Sequence, residues 1–154
     1  MLRSIFIFII TYALFSISGF LFQIDQTWYN ALIKPEWTPG GGTIGLIWAV
    51  LFACIAASIT IIDRKLKGLA KAAPLFWVIL ILNYVSNQLF SFFQFTQKNL
   101  GLASIDCAIV AITALILAVL AFRIQKFSGL LLIPYVLWTF FATYLSFTFY
   151  SMNG

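Results

Sequence analysis

Apolar positions run almost unbroken along this chain, and its polar residues gather in clusters that cut the run into pieces. A helix needs between about 17 and 25 apolar residues to cross a bilayer. Five segments reach that length: Ile5 to Phe22, Thr43 to Ile62, Pro74 to Phe95, Leu100 to Phe122, and Ser128 to Tyr150. The pattern predicts an all-α membrane protein, a five-transmembrane-helix bundle in one domain over residues 1–154. Arg3 gives the first segment the positive flank of a signal peptide. Its apolar run exceeds the usual signal core of about 7–15 residues, and no clear A-x-A site follows, so it reads as a retained helix.

Composition supports the membrane assignment. The chain is 63% hydrophobic and 8% charged, whereas soluble domains carry about 25% charged residues. A net charge of +5 does not imply nucleic acid here. The basic residues lie between apolar spans and lack the aromatic interleaving that grips single strands. Cys54 and Cys107 fall inside spans and read as small core residues. The absence of histidine removes the commonest metal ligand and the usual general base, so Ser-His-Asp chemistry and zinc sites are excluded. No cofactor is expected.

The basic residues sort by side. Arg3, Arg64, Lys65, Lys67, Lys71, Arg123 and Lys126 share one side, while Lys34 and Lys98 occupy the other. The positive-inside rule then puts the N-terminus in the cytoplasm and the C-terminus outside, in a plasma membrane. An odd helix count requires termini on opposite sides, so the two arguments agree. The loop from Asp63 to Ala73 is a topology signal that also meets anionic lipid head groups.

The longest interruption between spans is Trp28-Tyr29-Asn30-Ala31-Leu32-Ile33-Lys34-Pro35-Glu36-Trp37-Thr38-Pro39 in loop 1. Two readings stand. Trp and Tyr hold position at a membrane interface. Aromatics on a path stiffened by two prolines also suit a lid over a pocket.

Intramembrane polar residues are costly and usually face the bundle interior. Asn83, Asn87, Phe90 and Gln94 are spaced 4, 3 and 4 apart and form one helix face. That stripe reads either as interhelical amide bonding or as a ligand-facing wall. Asp106 lies early in the fourth span without an intramembrane basic partner. A proton relay needs a chain of such groups, and this is one. Ala49, Ala53 and Ala57 form a small-residue row that permits close helix packing. Pro134 frees a carbonyl and is positioned to kink the fifth span. Trp48 and Trp138 read as interface-belt residues or as flat walls for a planar ligand.

The motifs resemble the translocator protein family, TspO/MBR, also called tryptophan-rich sensory proteins or peripheral benzodiazepine receptors. The likeness covers essentially the whole chain. It rests on Trp28-Tyr29-x-x-Leu32-x-Lys34-Pro35-x-Trp37-x-Pro39, on Trp48, on Leu82-Asn83-x-x-x-Asn87-Gln88, and on Pro134-Tyr135-x-x-Trp138-x-x-Phe141-Ala142-x-Tyr144-Leu145. The details look most like a Bacillus-type bacterial member. The resemblance implies a homodimer with a ligand cavity under loop 1 that binds protoporphyrin IX and isoquinoline or benzodiazepine drugs. It also implies light-dependent porphyrin degradation, with Trp48 and Trp138 as the catalytic residues. The ligand-binding residues it implies are Tyr29, Trp48, Asn83, Asn87, Phe90, Trp138, Ala142 and Leu145, with Asp106 and Cys107 on the wall from the fourth span.

Two departures stand out. Where the family commonly has Pro-Pro after the loop tryptophan, this chain reads Pro39-Gly40-Gly41-Gly42, a more flexible end. The family's proposed cholesterol motif needs a base after its tyrosine, and none follows Tyr144 or Tyr150. The expected partners are thus a porphyrin or other hydrophobic small molecule, membrane lipid and a second copy of the chain, with no nucleic acid. Two other readings remain: a transporter of a lipophilic metabolite such as a tetrapyrrole or sterol, and a scaffold without a small ligand.

Overall fold

The computed structural model describes residues 1–154 and is entirely helical. Five spans are long and apolar enough to cross a membrane. The first is α1 (Leu2–Leu21). Loop 1 contains the short α2 (Gln26–Ala31), which the apolar pattern does not reveal. Asp25 nucleates it, its carboxylate accepting the Trp28 N–H at 3.0 Å. Pro35 and Thr38 then close a turn, with the Thr38 N–H donating to the Pro35 carbonyl at 3.0 Å.

The second span is α3 (Gly41–Leu66). It runs past the expected end because Arg64 and Lys65 continue the helix, where cations favour its C-terminal dipole. Lys67 (φ 54°) and Gly68 (φ 141°) terminate it in left-handed geometry. The third span opens on Pro74 as α4 (Pro74–Ser91) and ends in a π-helical turn over Phe92–Thr96. That turn carries the buried Gln94. Asn99 caps α5 (Leu100–Ile124), its side chain accepting the Leu102 N–H at 3.0 Å.

The fifth span is divided. α6 (Lys126–Leu131) leads into α7 (Ile133–Asn153), and Pro134 stands at the start of α7. The expected proline kink thus coincides with the break between two helices. Only glycine fits at Gly129, because an added Cβ would collide with the backbone and Cβ of Phe122. Ser58 and Ser128 lock α6 to α3, with their hydroxyls 2.6 Å apart and each donating to the other's carbonyl at 3.0 Å.

The helices form a ring in the order α3, α1, α4, α5, α7. α5 is the central strut, with 50% of its apolar window buried against 11–28% in the other spans. The core joins Phe15, Phe52, Ile55, Ile59, Phe76, Leu117 and Tyr135. Outward positions such as Val78, Ile81, Leu82, Val85 and Leu89 are exposed and apolar, as a lipid-facing surface requires. α3 and α7 touch sparsely, and the seam between them holds an apolar cavity.

Candidate ligand site

The cavity at this seam has a volume of about 550 Å³. Leu46, Ile47, Val50 and Leu51 line it from α3, and Pro134, Leu137, Trp138 and Phe141 from α7. Its size falls within the usual small-molecule range of about 300–1,000 Å³. Most of these aliphatic residues look lipid-facing in the sequence, so periodicity alone does not reveal the pocket. Trp138 was legible by its position in the helical motif.

An aromatic relay runs from loop 1 through this site. Trp37 stacks on Tyr144 with centroids 5.4 Å apart and planes 15° apart. It also meets Phe141 edge-on at 5.9 Å. Phe141 lies 5.2 Å from Trp138, and Trp138 meets Trp48 at 6.5 Å. Trp48 in turn contacts Tyr135 at 6.3 Å and Phe52 at 5.5 Å. The indole Nε1–H of Trp138 is buried without a hydrogen-bond acceptor. A buried orphan donor costs about 1–3 kcal/mol, so an acceptor on a bound molecule would be stabilised here.

Of the ten residues implied as ligand-binding, Trp138 alone lines this cavity and Trp48 packs behind it. Asn83 and Asn87 meet the Tyr135 hydroxyl. Tyr135 donates to Asn83 Oδ1 at 2.8 Å and accepts from Asn87 Nδ2 at 3.3 Å. Asn83 Nδ2 donates to the Val110 carbonyl at 3.1 Å and to Thr113 Oγ1 at 3.0 Å. Its amide is therefore fully engaged in bonds among α4, α5 and α7. Gln88, off that stripe, clamps α1. Its Oε1 accepts the Ser18 N–H at 2.9 Å, and its Nε2 donates to the Phe15 carbonyl at 3.2 Å.

Tyr29 and Leu145 belong to a second apolar cluster with Leu100, Phe149, Trp28 and Phe141. Lys34 Nζ sits 4.6 Å over the Tyr29 ring. Burial pushes the Tyr29 phenol above its ordinary value, so the contact is to a neutral ring. Cys107 is buried, and Thr143 Oγ1 donates to its carbonyl at 3.1 Å. Asp106 is buried with Oδ2 lacking a partner. Phe90 and Ala142 are half-buried. Trp48 and Trp138 thus meet at the seam, Asn83 and Asn87 meet at Tyr135, and Tyr29 and Leu145 share the second apolar cluster, while Asp106, Cys107, Phe90 and Ala142 line neither the seam cavity nor that cluster.

Two polar latches hold loop 1 down. Lys98 Nζ bonds Asp25 Oδ2 at 2.8 Å and lies 5.6 Å from the Trp28 ring centroid. Asn153 clasps the backbone of Ile33 from both sides, accepting its N–H and donating to its carbonyl, each at 2.8 Å.

A five-span bundle with a tryptophan-bearing loop latched over an aromatic seam agrees with what sequence comparison finds. The TspO/MBR family profile matches residues 6–151. The chain belongs to the TspO/MBR family. It is 55% identical to the Tryptophan-rich protein TspO of Bacillus cereus over 150 residues, covering 97% of this chain and 96% of that protein. It is also 55% identical to the Uncharacterized membrane protein YtaB of Bacillus subtilis over 147 residues, covering 96% and 94%. The Translocator protein of Sus scrofa is 28% identical over 130 residues, covering 82% and 75%. The resemblance carried by the loop 1 and α7 motifs is therefore a family relationship across nearly the full chain, and its near relatives include Bacillus proteins.

Proposed function

We propose that this TspO/MBR protein is a membrane receptor for planar hydrophobic ligands of the porphyrin class, protoporphyrin IX foremost, bound at the α3/α7 seam beneath loop 1. The observation that carries this reading is the apolar cavity of about 550 Å³ beside the unsatisfied Trp138 indole. An aromatic wall supplies flat contact area, and the free N–H supplies one directed bond. The drug-like isoquinoline and benzodiazepine scaffolds present similar planar faces with a carbonyl acceptor. The placement of Trp48 and Trp138 also supports light-dependent degradation, in which dioxygen is the oxidant, the excited porphyrin sensitises it and an adjacent indole is oxidisable. The reading includes a cytoplasmic N-terminus, an outer C-terminus and a homodimer.

The test is a dark titration of protoporphyrin IX into the detergent-solubilised protein, followed by tryptophan fluorescence. Saturable quenching that weakens in Trp138→Ala is expected. Absent or non-saturable quenching would leave a scaffold without a small ligand. Ligand-dependent flux in proteoliposomes would move the assignment to a transporter of the same lipophilic molecule.

A further inference from the structure

A second cavity, of about 200 Å³, lies at the opposite, basic end of the bundle. Leu66, Leu75, Phe76 and Leu120 give it an apolar interior, and Lys71 and Arg123 also line it. Both cations are exposed, and neither has a carboxylate partner. Of the four acidic residues, Asp25 and Glu36 belong to loop 1 and Asp106 lies near the other end of α5. Asp63 is the one acid at this end, and it is already committed. It is buried, bonded to Arg3 at 2.6 Å, and accepts the Leu69 N–H at 2.8 Å. The groove also receives the start of α4, where Pro74 follows an N-cap residue, Ala73, that provides no side-chain cap. The positive end of that helix dipole adds to the two cations.

We infer that this groove between the start of α4 and the end of α5 is a binding site for an anionic membrane phospholipid. Lys71 and Arg123 take its phosphodiester, and the apolar interior takes the first part of an acyl chain. An apolar floor alone would accept any lipid tail, and surface lysines alone would attract any anion. The two together at the end of a membrane-spanning bundle select a molecule that has both parts. The volume is too small for a whole lipid, so the tails continue over the exposed face of Leu75 and Val78.

The experiment titrates phosphatidylglycerol into full-length, delipidated protein in an uncharged detergent and counts retained lipids by native mass spectrometry. One retained phosphatidylglycerol per chain is expected, with phosphatidylcholine held far more weakly. Each basic residue near an anionic lipid surface contributes about fivefold in affinity, so Lys71→Gln with Arg123→Gln should weaken retention roughly 25-fold. Lys65→Gln with Lys126→Gln removes the same charge from the same end outside the groove and should leave retention within about twofold. The charge-conserving pair Lys71→Arg and Arg123→Lys should retain the lipid, which separates lost binding from lost folding. The site is overturned if the Lys65 and Lys126 pair weakens retention as much, or if phosphatidylcholine is retained equally. Displacement by excess inorganic phosphate would also overturn it, by showing a free-anion site.

Discussion

The indole of Trp138 meets that of Trp48 almost edge-on, with ring centroids 6.5 Å apart and planes at 86°. One ring lines the seam cavity and the other stands behind it against Tyr135 and Phe52. A porphyrin on Trp138 would therefore have a second indole within one ring's reach. Phenylalanine keeps most of the aromatic surface and removes the oxidisable pyrrole N–H. Trp48→Phe and Trp138→Phe are expected to retain most porphyrin binding in the dark and to slow its bleaching in light, with the double variant slowest. The porphyrin absorption band under illumination, beside a dark titration, measures both. If the double variant binds and bleaches like the unaltered protein, the tryptophans have no chemical role.

The amides on α4 separate by what they hold. Asn83→Ala removes three bonds and takes the acceptor from the Tyr135 O–H, which keeps only the long bond it accepts from Asn87, so it should lower stability by about 2–3 kcal/mol. Gln88→Ala frees the α1 backbone at Ser18 and Phe15, a cost of about 1–2 kcal/mol without a direct effect at the seam. Asn87 donates one long bond to Tyr135, whose ring backs Trp48, and accepts another from Gln88 Nε2 at 3.4 Å. Asn87→Ala should therefore weaken porphyrin binding more than Gln88→Ala while destabilising the fold less than Asn83→Ala. Unfolding midpoints in detergent and dark titrations check both orders. Equal and negligible effects of Asn87→Ala and Gln88→Ala on binding would remove α4 from the ligand argument.

The Asp25–Lys98 bridge sets an acid limit on loop 1. The Lys98 ammonium and the Trp28 N–H hold the Asp25 carboxyl below its ordinary value of 3.8. A carboxylate depressed in the fold stabilises above its unfolded value, and that contribution is lost as pH falls through the folded one. Loop 1 should thus keep this latch from neutral pH down to about 4 and lose it below. Trp28 emission, perturbed by the ammonium beside it, reports the change. Asp25→Asn should abolish the acid transition, and a transition centred near pH 6 would contradict the assignment.

The five spans were legible because lipid imposes one rule on every helix, and a run of apolar residues satisfies it. Their ends were less so. α3 extends through Arg64 and Lys65 because charged side chains at a span's end reach water while the backbone stays helical. α2 passed unseen in the apolar pattern, although Asp25 ahead of Gln26-Thr27-Trp28 was a capping signal. The Asn83–Asn87 face was readable from spacing, but its partners were not. Tyr135 and Thr113 are 52 and 30 residues from Asn83, and only tertiary packing unites them. The seam cavity was hidden for a related reason. Leu46 and Val50 carry no polar signal and differ from lipid-facing residues only in what stands across from them.

The proposed orientation rests on charge. Seven of the nine basic residues gather at the end shared by Arg3, the C-terminus of α3 and the start of α4, and Lys34 and Lys98 sit at the loop 1 end. The structure keeps that segregation, since Lys98 reaches Asp25 while Arg3 reaches Asp63. A reporter that is active only outside the cytoplasm, fused after Gly154, is expected to be active. Activity of a cytoplasm-only reporter at that position would reverse the topology.

Asn153 gives loop 1 its most specific restraint. Its amide bonds both the N–H and the carbonyl of Ile33, and its Nδ2 also reaches the Phe149 carbonyl at 2.9 Å. The clasp fastens the middle of loop 1 to the end of α7, the helix that lines the seam with Trp138 and Phe141. Removing it leaves the aromatic contacts of Trp37 with Tyr144 and Phe141 to join the far part of the loop to α7. Both bonds are exposed, so their loss should cost the fold little, about 1 kcal/mol. The effect belongs to kinetics. Asn153→Ala is expected to speed porphyrin dissociation by about fivefold, the rate equivalent of about 1 kcal/mol, with an unfolding midpoint close to that of the unaltered protein. Stopped-flow displacement of bound protoporphyrin IX by a competing ligand gives the rate. Asn153→Asp keeps the acceptor for Ile33 N–H and loses the donor, so it should fall between the two. Equal dissociation rates for all three proteins would show that loop 1 does not limit ligand exit and that the seam itself opens to the lipid.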